Sequence, residues 1–480
     1  MIRVFQYYIS ARKLLLVLTE TLLLFIVFAF GGSFQFSPLG IEQSAILSAS
    51  SSAILAAVLC QIVLVFQDMY DWRISIKSSE RHPRLLAACA ISFVLLAAVF
   101  FWFQLTLPGF AFGIAGEEMR TRTWRFILTI ICAFLTIGAW RAVFHAFFGK
   151  WGLAERVLIL GSGDLALSLA REISERHDCG YEVAGLVPGK NEESHKLRRR
   201  DPEVAIIDRS AADLFDIARD MRAQRVIVAL QDRRQALPVE QLLKCRLSGI
   251  QIEERERLYE RITGKIAVEA LRPSYLIFND GFKTSPLRVA TKRVLDLVAS
   301  AIGLVLSSPI LLLTAIAIKL DSRGPVFYTQ ERVGQDGDSF VLYKFRSMRT
   351  DAEKHGPVWA SQDDARVTRV GKFIRRVRID EIPQMWNVLR GEMSFVGPRP
   401  ERPVFTEELA KEIPYFLERL CVKPGLTGWA QVCYPYGNTR ADAIQKLQYD
   451  LYYIKNMSVI FDLAVILQTV KVVMLRRGAM

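Results

Sequence analysis

The chain has 480 residues, which is too long for one ordinary domain and indicates two or three folded units. Its hydrophobic content is 51% and its formal net charge is +13. That charge favours an anionic partner, and long apolar segments favour a membrane surface and argue against nucleic acid. The seven cysteines include no CxxC pair, which argues against a disulfide framework or a zinc site.

Four apolar segments in residues 1–150 predict a four-helix transmembrane region. The segments are 14–30, 45–66, 85–107 and 126–148. The first is short and contains Glu20, and a cleaved signal peptide is its alternative. Basic residues precede the first segment, separate the second from the third and follow the fourth. The positive-inside rule then places the N-terminus and everything after residue 150 in the cytoplasm.

A strand, a glycine-rich turn and a helix start follow at 156–166, with the turn at Gly161-Ser162-Gly163. Further short strands at 204–207 and 225–230 predict a Rossmann-like α/β domain over 151–265, followed by a linker over 266–290. In dinucleotide-binding proteins such a turn faces a phosphate. Here the third glycine is missing, so a nucleotide site and a purely structural or regulatory domain both stay open.

Residues 294–318 form an apolar stretch that is long enough to cross a bilayer. Lys292-Arg293 and Lys319 flank it, so both ends favour the cytoplasmic face. Ser308-Pro309 lies near the middle, where proline removes a helix hydrogen bond and kinks the chain. The pattern predicts a re-entrant helix–break–helix over 292–319 that returns to its own face. An ordinary kinked spanning helix is the alternative.

Two adjacent carboxylates, Asp380-Glu381, follow a run of six basic residues that contains no acid. Cations hold phosphate groups, and a carboxylate attacks phosphorus once those phosphates are neutralised. A second carboxylate can hold Mg²⁺. The pattern predicts phosphoryl-transfer chemistry, with a solvated basic helix face as the alternative. The six basic residues are Arg366, Arg369, Lys372, Arg375, Arg376 and Arg378.

Five motifs in the C-terminal part match those of a known family in order and spacing: Lys292-Arg293, Tyr343–Met348, Asp380-Glu381, Val396–Pro400 and Lys423–Trp429. On these motifs the chain, from Lys292 to its C-terminus, resembles the bacterial sugar transferases, which are polyprenyl-phosphate hexose-1-phosphate transferases or monotopic phosphoglycosyl transferases. Ile379 and Arg378 depart from the Leu and the Ser or Thr expected there, and neither departure removes a catalytic group. The whole chain is similar to the large, undecaprenyl-phosphate glucose phosphotransferase-like members, which build exopolysaccharides and glycoconjugates.

The resemblance implies transfer of sugar 1-phosphate from a UDP-sugar to polyprenyl (undecaprenyl) phosphate, with release of UMP. Asp380 would be the nucleophile that forms an aspartyl phosphosugar, and Glu381 would bind the cofactor Mg²⁺. Structural ion pairs are the alternative for the phosphate-binding cations, and contact with lipid headgroups is a further alternative for Lys344 and Arg346. The residues expected to bind phosphate, or to fix the turn beside it, are Arg375, Arg399, Pro398, Lys344 and Arg346.

The predicted fold class is a multidomain membrane protein, α plus α/β, with a mostly helical catalytic domain over 291–480. The expected partners are a UDP-sugar, a polyprenyl phosphate lipid, the membrane and, as an option, a second copy of the chain. The expected location is the bacterial inner (plasma) membrane, multi-pass, with the catalytic domain on the cytoplasmic face.

Two other functions stay open. One is a non-enzymatic scaffold of polysaccharide assembly, which would not need the two carboxylates. The other is an NAD-dependent membrane sugar-nucleotide dehydratase or epimerase. That enzyme needs a Tyr-x-x-x-Lys pair, and no tyrosine of this chain has a lysine four residues later.

Overall fold

The computed structural model describes most of the chain, in segments. Its contacts separate two units, one largely within residues 9–252 and the other largely within 253–480. The described segments are 2–4, 7–9, 11–31, 34–36, 45–70, 78–106, 110–112, 119–150, 154–176, 179–189, 206–207, 209–230, 237–271, 273–278, 282, 285–350, 352, 364, 366–434, 437 and 439–474.

Four long apolar helices and two pairs of short strands form the N-terminal part. The helices pack around a core that includes Leu24, Leu64, Leu96 and Ile130. Three of them are long and apolar enough to cross a membrane, and the second contributes the shorter apolar stretch Ser52–Phe66. The four predicted apolar helices are therefore present. The elements are β1 (Ile2–Val4), β2 (Tyr7–Ile9), α1 (Ala11–Gly31), β3 (Phe34–Phe36), α2 (Ala45–Phe66), α3 (Ser78–Thr106), β4 (Phe110–Phe112) and α4 (Met119–Lys150).

Glu20, the acidic residue of the first apolar helix, is fully buried and paired. The guanidinium of Arg141 lies 2.6 Å from it through Nε and donates to it through Nη2 at 2.8 Å. The Tyr70 hydroxyl also donates to Glu20, and Arg141 donates to the Met69 carbonyl. A buried charge is tolerated among apolar helices when it has such partners, so Glu20 does not argue against a membrane helix.

A four-stranded sheet follows, in the order β6-β5-β7-β8. The strand β5 runs parallel to both β6 and β7, as predicted for an α/β domain. Of the predicted strand 204–207, Ile206 forms a parallel bridge to Leu186, and 204–205 lie outside the described residues. The elements are β5 (Glu155–Leu160), α5 (Asp164–Glu175), β6 (Tyr181–Val187), α6 (Leu214–Asp220), β7 (Arg225–Val228), α7 (Val239–Leu247) and β8 (Gln251–Glu254).

The glycine-rich turn lies between β5 and α5. Gly161 has φ +129°, and a Cβ there would lie 2.7 Å from the carbonyl oxygen of Ala229. Only glycine avoids both the strained backbone and this clash. Close packing against the backbone of Ala229 therefore explains why position 161 is a glycine. Nucleotide binding by this turn stays a prediction.

The second unit combines helices with two small sheets. The β9–β10 pair is antiparallel, and the β11–β12 pair is parallel. Its largest core lies around Leu451, Tyr452 and Phe461. The elements are α8 (Arg255–Thr263), α9 (Pro273–Phe278), α10 (Pro286–Asp321), β9 (Phe327–Val333), β10 (Ser339–Phe345), α11 (Arg369–Arg376), α12 (Gln384–Arg390), β11 (Ser394–Val396), α13 (Pro403–Glu412), β12 (Gly425–Thr427), α14 (Trp429–Cys433), α15 (Arg440–Lys455) and α16 (Val459–Met474).

The helices α8 and α9 belong to this second unit, although the sequence assigned them to the α/β domain and to a linker. Lys455 donates to the buried carboxylate of Glu260 at 2.6 Å, and Tyr275 donates to the same carboxylate. Ile266 and Leu271 join the core of α15 and α16. The contacts divide the chain after residue 252, and the domain bounds expected from the sequence stay a prediction. Buried hydrogen bonds and apolar contacts place α8 and α9 in the second unit, and local sequence patterns do not encode such contacts.

The apolar stretch 294–318 lies within α10, a single helix of 36 residues with Pro309 inside it. The predicted break at Ser308-Pro309 does not interrupt the helix. Proline leaves the Val305 carbonyl, four residues earlier, without its usual N–H donor. The Ser308 hydroxyl donates to that carbonyl at 2.8 Å, which restores the lost hydrogen bond. A bend that returns the chain to its own face stays a prediction.

One stripe of α10 packs against other elements of the second unit, to which the helix itself belongs. Many of its remaining side chains are exposed and apolar. Near the N-terminal end, Asp296 accepts from the Phe395 N–H at 3.0 Å. At the C-terminal end, Asp321 accepts from the Val370 N–H at 3.2 Å. Both ends thus contact the same unit. The buried residues are Asp296, Ser300, Thr314 and Ile318, and the exposed ones include Val305, Leu306, Leu312, Leu313 and Leu320.

Candidate active site

The two carboxylates lie on a tight turn between α11 and α12. Arg378 adopts a left-handed backbone with φ +55°, and Ile379–Glu381 form one turn of 3₁₀ helix. A non-glycine residue in this conformation costs about 1–3 kcal/mol and is typical of functional sites. The turn buries the Asp380 side chain and leaves Glu381 about one seventh exposed, at 14%.

Glu381 is surrounded by cations. Its Oε1 accepts from Arg399 Nη2 at 2.8 Å and from Lys344 Nζ at 3.3 Å, and its Oε2 lies 3.9 Å from Arg378 Nη1. Burial alone would raise the pKa of Glu381, but Arg399, Lys344 and Arg378 more than offset burial and hold that pKa below its usual range. Glu381 is therefore ionised and serves as the counter-ion of three basic residues.

Asp380 has the opposite surroundings. Within the part of the chain that the structure describes, its carboxylate has no hydrogen-bond or ion-pair partner. Burial, and then the negative charge of Glu381, raise the pKa of Asp380 to about 6, although Lys344, Arg375 and Arg399 act against the rise. At neutral pH Asp380 is thus an ionised carboxylate, and none of the described cations lies close enough to form an ion pair with it.

The six-residue basic run does not act as one cluster. Arg375 donates to Ser347 Oγ at 2.9 Å, and its charge reaches Asp380, whereas Arg378 faces Glu381. Arg366 pairs instead with Asp364. The remaining three basic residues, Arg369, Lys372 and Arg376, are exposed on α11. The solvated-face alternative therefore describes half of the run, and the predicted site uses Arg375.

Arg346 is not brought to the two carboxylates by any described contact. Its Nη1 donates to the Arg323 carbonyl at 2.9 Å, and its Nη2 donates to the Ser322 carbonyl at 2.7 Å. These bonds fix the chain just after α10. The predicted phosphate-binding role of Arg346 stays a prediction, and the contacts present are those of the structural alternative.

Arg399 reaches Glu381 from a loop, residues 396–401, that is fastened to the turn at 424–428. Pro398 accepts at its carbonyl from the Gly425 N–H at 2.8 Å. Ideal Cβ atoms on Gly397 and Gly425 would each lie within 2.5 Å of the opposing backbone. Glycine at both positions permits this close approach. The Gly-Pro-Arg and Pro-Gly-Leu-Thr-Gly motifs are therefore two halves of one structure, with Pro398 at the contact.

Further side chains that the sequence analysis missed hold the carbonyls of this loop. Lys292 Nζ donates to the Val396 carbonyl at 2.9 Å, and Arg419 Nη2 donates to the Arg399 carbonyl at 2.9 Å. Arg332 Nη1 donates to the Pro400 carbonyl at 2.9 Å. Lys292 had a signal, the Lys-Arg pair before the apolar stretch, but that pair was interpreted as a topology marker and a family motif and was given no role at the site. Arg419 and Arg332 had no such signal in the sequence.

Among the described residues, no group of three His, Cys, Asp or Glu side chains is arranged to hold a metal ion. Mg²⁺ does not require such a cage, since it commonly binds one or two carboxylates, several waters and the substrate's phosphates. Asp380 and Glu381 offer that donor set. They fit a magnesium ion that arrives with a phosphorylated substrate.

A match to a known protein family covers the region that contains this turn. The family model described as "Bacterial sugar transferase" matches residues 287–476, and the model described as "CoA-binding domain" matches residues 65–252. The UDP-glucose:undecaprenyl-phosphate glucose-1-phosphate transferase of Klebsiella pneumoniae is 31% identical over 434 residues, which cover 87% of each chain. The undecaprenyl-phosphate glucose phosphotransferase of Komagataeibacter xylinus is 32% identical over 397 residues, 80% of this chain and 71% of that protein.

A third relative matches a shorter stretch of the chain at higher identity. The UDP-N-acetylgalactosamine-undecaprenyl-phosphate N-acetylgalactosaminephosphotransferase of Aeromonas hydrophila is 40% identical over 260 residues, 54% of this chain. The match spans 61% of that protein's length. The chain belongs to the bacterial sugar transferase family, as the resemblance predicted, and it is classed with the phosphoglycosyl transferase enzymes.

Proposed function

We propose that the protein transfers a sugar 1-phosphate from a UDP-sugar to undecaprenyl phosphate. The observation that carries the proposal is the contrast within one turn: Glu381 is the counter-ion of three cations, and Asp380 beside it is ionisable and forms no ion pair with any residue that the structure describes. Relatives that share this region are named as phosphotransferases of undecaprenyl phosphate, which supports the enzyme over the scaffold alternative.

The proposed reaction has two displacements at one phosphorus. An Asp380 carboxylate oxygen attacks the β-phosphorus of the UDP-sugar, the bond from that phosphorus to the bridging oxygen breaks, and UMP leaves. A phosphate oxygen of the lipid then attacks the same phosphorus and releases the Asp380 carboxylate. The product is undecaprenyl diphosphate sugar. Splitting the transfer lets one site bind two anionic substrates in turn.

The cations around Glu381 are the proposed phosphate ligands. Arg399, Lys344 and Arg378 already converge on one carboxylate, and Arg375 lies on the Asp380 side of the turn. Converging donors of this kind stabilise the negative charge on a transferring phosphoryl group. A magnesium ion, held by Glu381 together with the substrate's phosphates, would add further charge neutralisation.

The proposed location is the cytoplasmic face of the bacterial inner membrane. The 36 residues of α10, at ~1.5 Å per residue, extend ~54 Å when straight, well beyond the ~30 Å hydrocarbon core. Nevertheless both ends of α10 contact one unit, and its outward face is apolar. These contacts favour the re-entrant course over 292–319, with both ends on one face and the carboxylates at headgroup height.

The experiment that tests the function uses the full-length protein in detergent or nanodiscs. Protein, Mg²⁺, undecaprenyl phosphate and UDP-glucose or UDP-N-acetylgalactosamine are incubated, and UMP release is measured. We expect UMP together with a lipid-linked sugar diphosphate, and no UMP from Asp380→Asn. With labelled UDP-sugar and no lipid, label should remain on a peptide that contains Asp380. Undiminished turnover by Asp380→Asn would overturn the nucleophile assignment.

A further inference from the structure

A buried ion pair lies behind the loop that carries Arg399. Arg419 lies on the 3₁₀ segment Phe416–Cys421, and Asp450 lies on α15. Arg419 Nη2 contacts Asp450 Oδ2 at 2.8 Å. Both side chains are almost fully buried, with 8% and 2% of their surfaces exposed, so this pair does not belong to the solvated surface.

The same nitrogen of Arg419 also contacts the loop. Nη2 donates to the main-chain carbonyl of Arg399 at 2.9 Å. The side chain of Arg399 leaves from this same residue and donates to Glu381 Oε1 at 2.8 Å. A charge-assisted hydrogen bond to a carbonyl fixes the orientation of the peptide, and hence the direction in which the side chain departs.

Asp450 orients Arg419 in turn. A guanidinium without a counter-charge is costly to bury, and Asp450 supplies the charge from a helix of the core. The Phe416 ring lies 5.2 Å from the Arg419 guanidinium carbon and limits its movement on another side. The chain of contacts therefore runs from α15 through Asp450 and Arg419 to the Arg399 carbonyl, and from Arg399 to Glu381.

We propose that Arg419 and Asp450 are a positioning pair that sets the direction of Arg399 toward the phosphates of the bound substrate. The inference rests on the proposed function, since it assigns Arg399 to the substrate. Neither residue of the pair touches the reacting atoms. Their effect on the reaction is expected to pass through Arg399 alone.

A double-mutant cycle tests this dependence. Arg419→Gln is compared with the parent protein in two backgrounds, wild type and Arg399→Ala, by kcat and KM for UMP release. Misplacing one charge-assisted contact is expected to lower kcat/KM about tenfold in the wild-type background. In the Arg399→Ala background the same substitution should change kcat/KM by less than about twofold, because the contact to be positioned is gone.

Controls separate positioning from general destabilisation. Arg440→Gln removes a matched but exposed ion pair with Glu412 and should leave kcat/KM unchanged. Thermal unfolding is followed for every variant, and Asp450→Asn, which keeps the side-chain shape, provides a second route if Arg419→Gln does not fold. Equal losses in both backgrounds, or no loss in either, would overturn the inference.

The proposed function and the inference fail in different ways. If wild type releases no UMP from any UDP-sugar, the function fails. The cycle is then measured on binding of UDP with Mg²⁺ by titration calorimetry, where the same dependence on Arg399 is expected. If wild type is active and the two backgrounds lose activity equally, the function stands and the positioning role does not.

Discussion

Asp380 and Glu381 are neighbours in sequence, yet their environments push their pKa values apart. Three cations hold Glu381 ionised, whereas burial and the adjacent charge make Asp380 the more basic carboxylate. Such separation is how two carboxylates in one site come to have different roles. The higher pKa also favours Asp380 as a nucleophile, since basicity and nucleophilicity of an oxygen rise together.

The pH profile of the covalent step should report Asp380. Its pKa is raised to about 6, so the attacking carboxylate is present above that pH and is lost as the pH falls through it. We expect kcat/KM to decline about tenfold per unit below pH 6. Lys344→Met should move this acid limb to higher pH, because Lys344 acts against the rise. The surface control Lys244→Met should leave it in place, and an unchanged limb in both variants would contradict the assignment.

Glu381 should be required for metal binding as well as for turnover. In Glu381→Gln the negative charge is lost while the shape is kept, so we expect weaker Mn²⁺ binding, followed by electron paramagnetic resonance in the presence of UDP, and a loss of UMP release of at least about a hundredfold. Excess EDTA should stop the wild type. Turnover that persists in EDTA would remove the metal from the proposed mechanism.

At the scale of elements, α10 connects an exposed apolar surface to the candidate site. The helix contacts β11 through Asp296, just before the loop of Arg399, and it contacts the region of α11 through Asp321. Lys292 adds hydrogen bonds to the Val396 carbonyl and to Asp462 of α16. A displacement of this helix would therefore reach the loop of Arg399 directly.

The topology of α10 can be measured with introduced cysteines. In a background whose seven native cysteines are serine, Arg288→Cys and Arg323→Cys flank the apolar stretch 294–318, and Ser37→Cys marks the loop expected outside the cell. An impermeant thiol reagent applied to intact cells should label position 37 alone, and lysis should expose both 288 and 323. Labelling of only one of these two before lysis would show that α10 spans the membrane.

The sequence predicted those features of the elements that depend on local pattern. Apolar length predicted the four N-terminal helices, and the Gly-Ser-Gly turn predicted a parallel strand and helix around Gly161. The uninterrupted course of α10 was not predicted, because it depends on the Ser308 hydroxyl replacing the missing N–H of Pro309 at one carbonyl. The sequence shows the proline, but it does not show whether a neighbouring hydroxyl reaches the carbonyl that the proline leaves without a donor.

For the whole molecule, the two-unit division determines which fragment should be active. A fragment from residue 253 keeps Glu260 and Tyr275 beside Lys455, whereas one from residue 280 leaves Lys455 buried without its charge partner. Breaking a buried pair in this way costs about 3–5 kcal/mol. We expect the 253–480 fragment to release UMP, and the 280–480 fragment to unfold at lower temperature and to be largely inactive.

Fluorescence-monitored thermal unfolding and UMP release check this expectation, with Lys455→Met in the 280–480 fragment as a second variant. Removing the unpaired charge should recover part of the lost stability. An inactive but folded 253–480 fragment, rescued by adding residues 1–252, would show that catalysis requires the first unit.

Some residues of the candidate site could be predicted from local sequence patterns, and others could not. Asp380, Glu381, Arg375, Lys344 and Arg399 were assigned from motifs and charge, and the structure brings these five together, although their roles stay proposals. Arg419 and Asp450 were missed because their partners lie far away in sequence and each looks like an ordinary surface charge. The homodimer option and the nucleotide site at Gly161 stay predictions.

The ion pairs of Glu381 have one more consequence. In the free protein this side chain pairs with the cations that are proposed to bind the diphosphate, so on the proposed function it would act as an internal competitor of the substrate. Binding is then an exchange of one anion for another, and its free energy is the difference between two sets of contacts. Small multivalent anions such as sulfate and pyrophosphate can enter the same exchange. The measured affinity for the substrate should therefore depend on which anion the buffer contains.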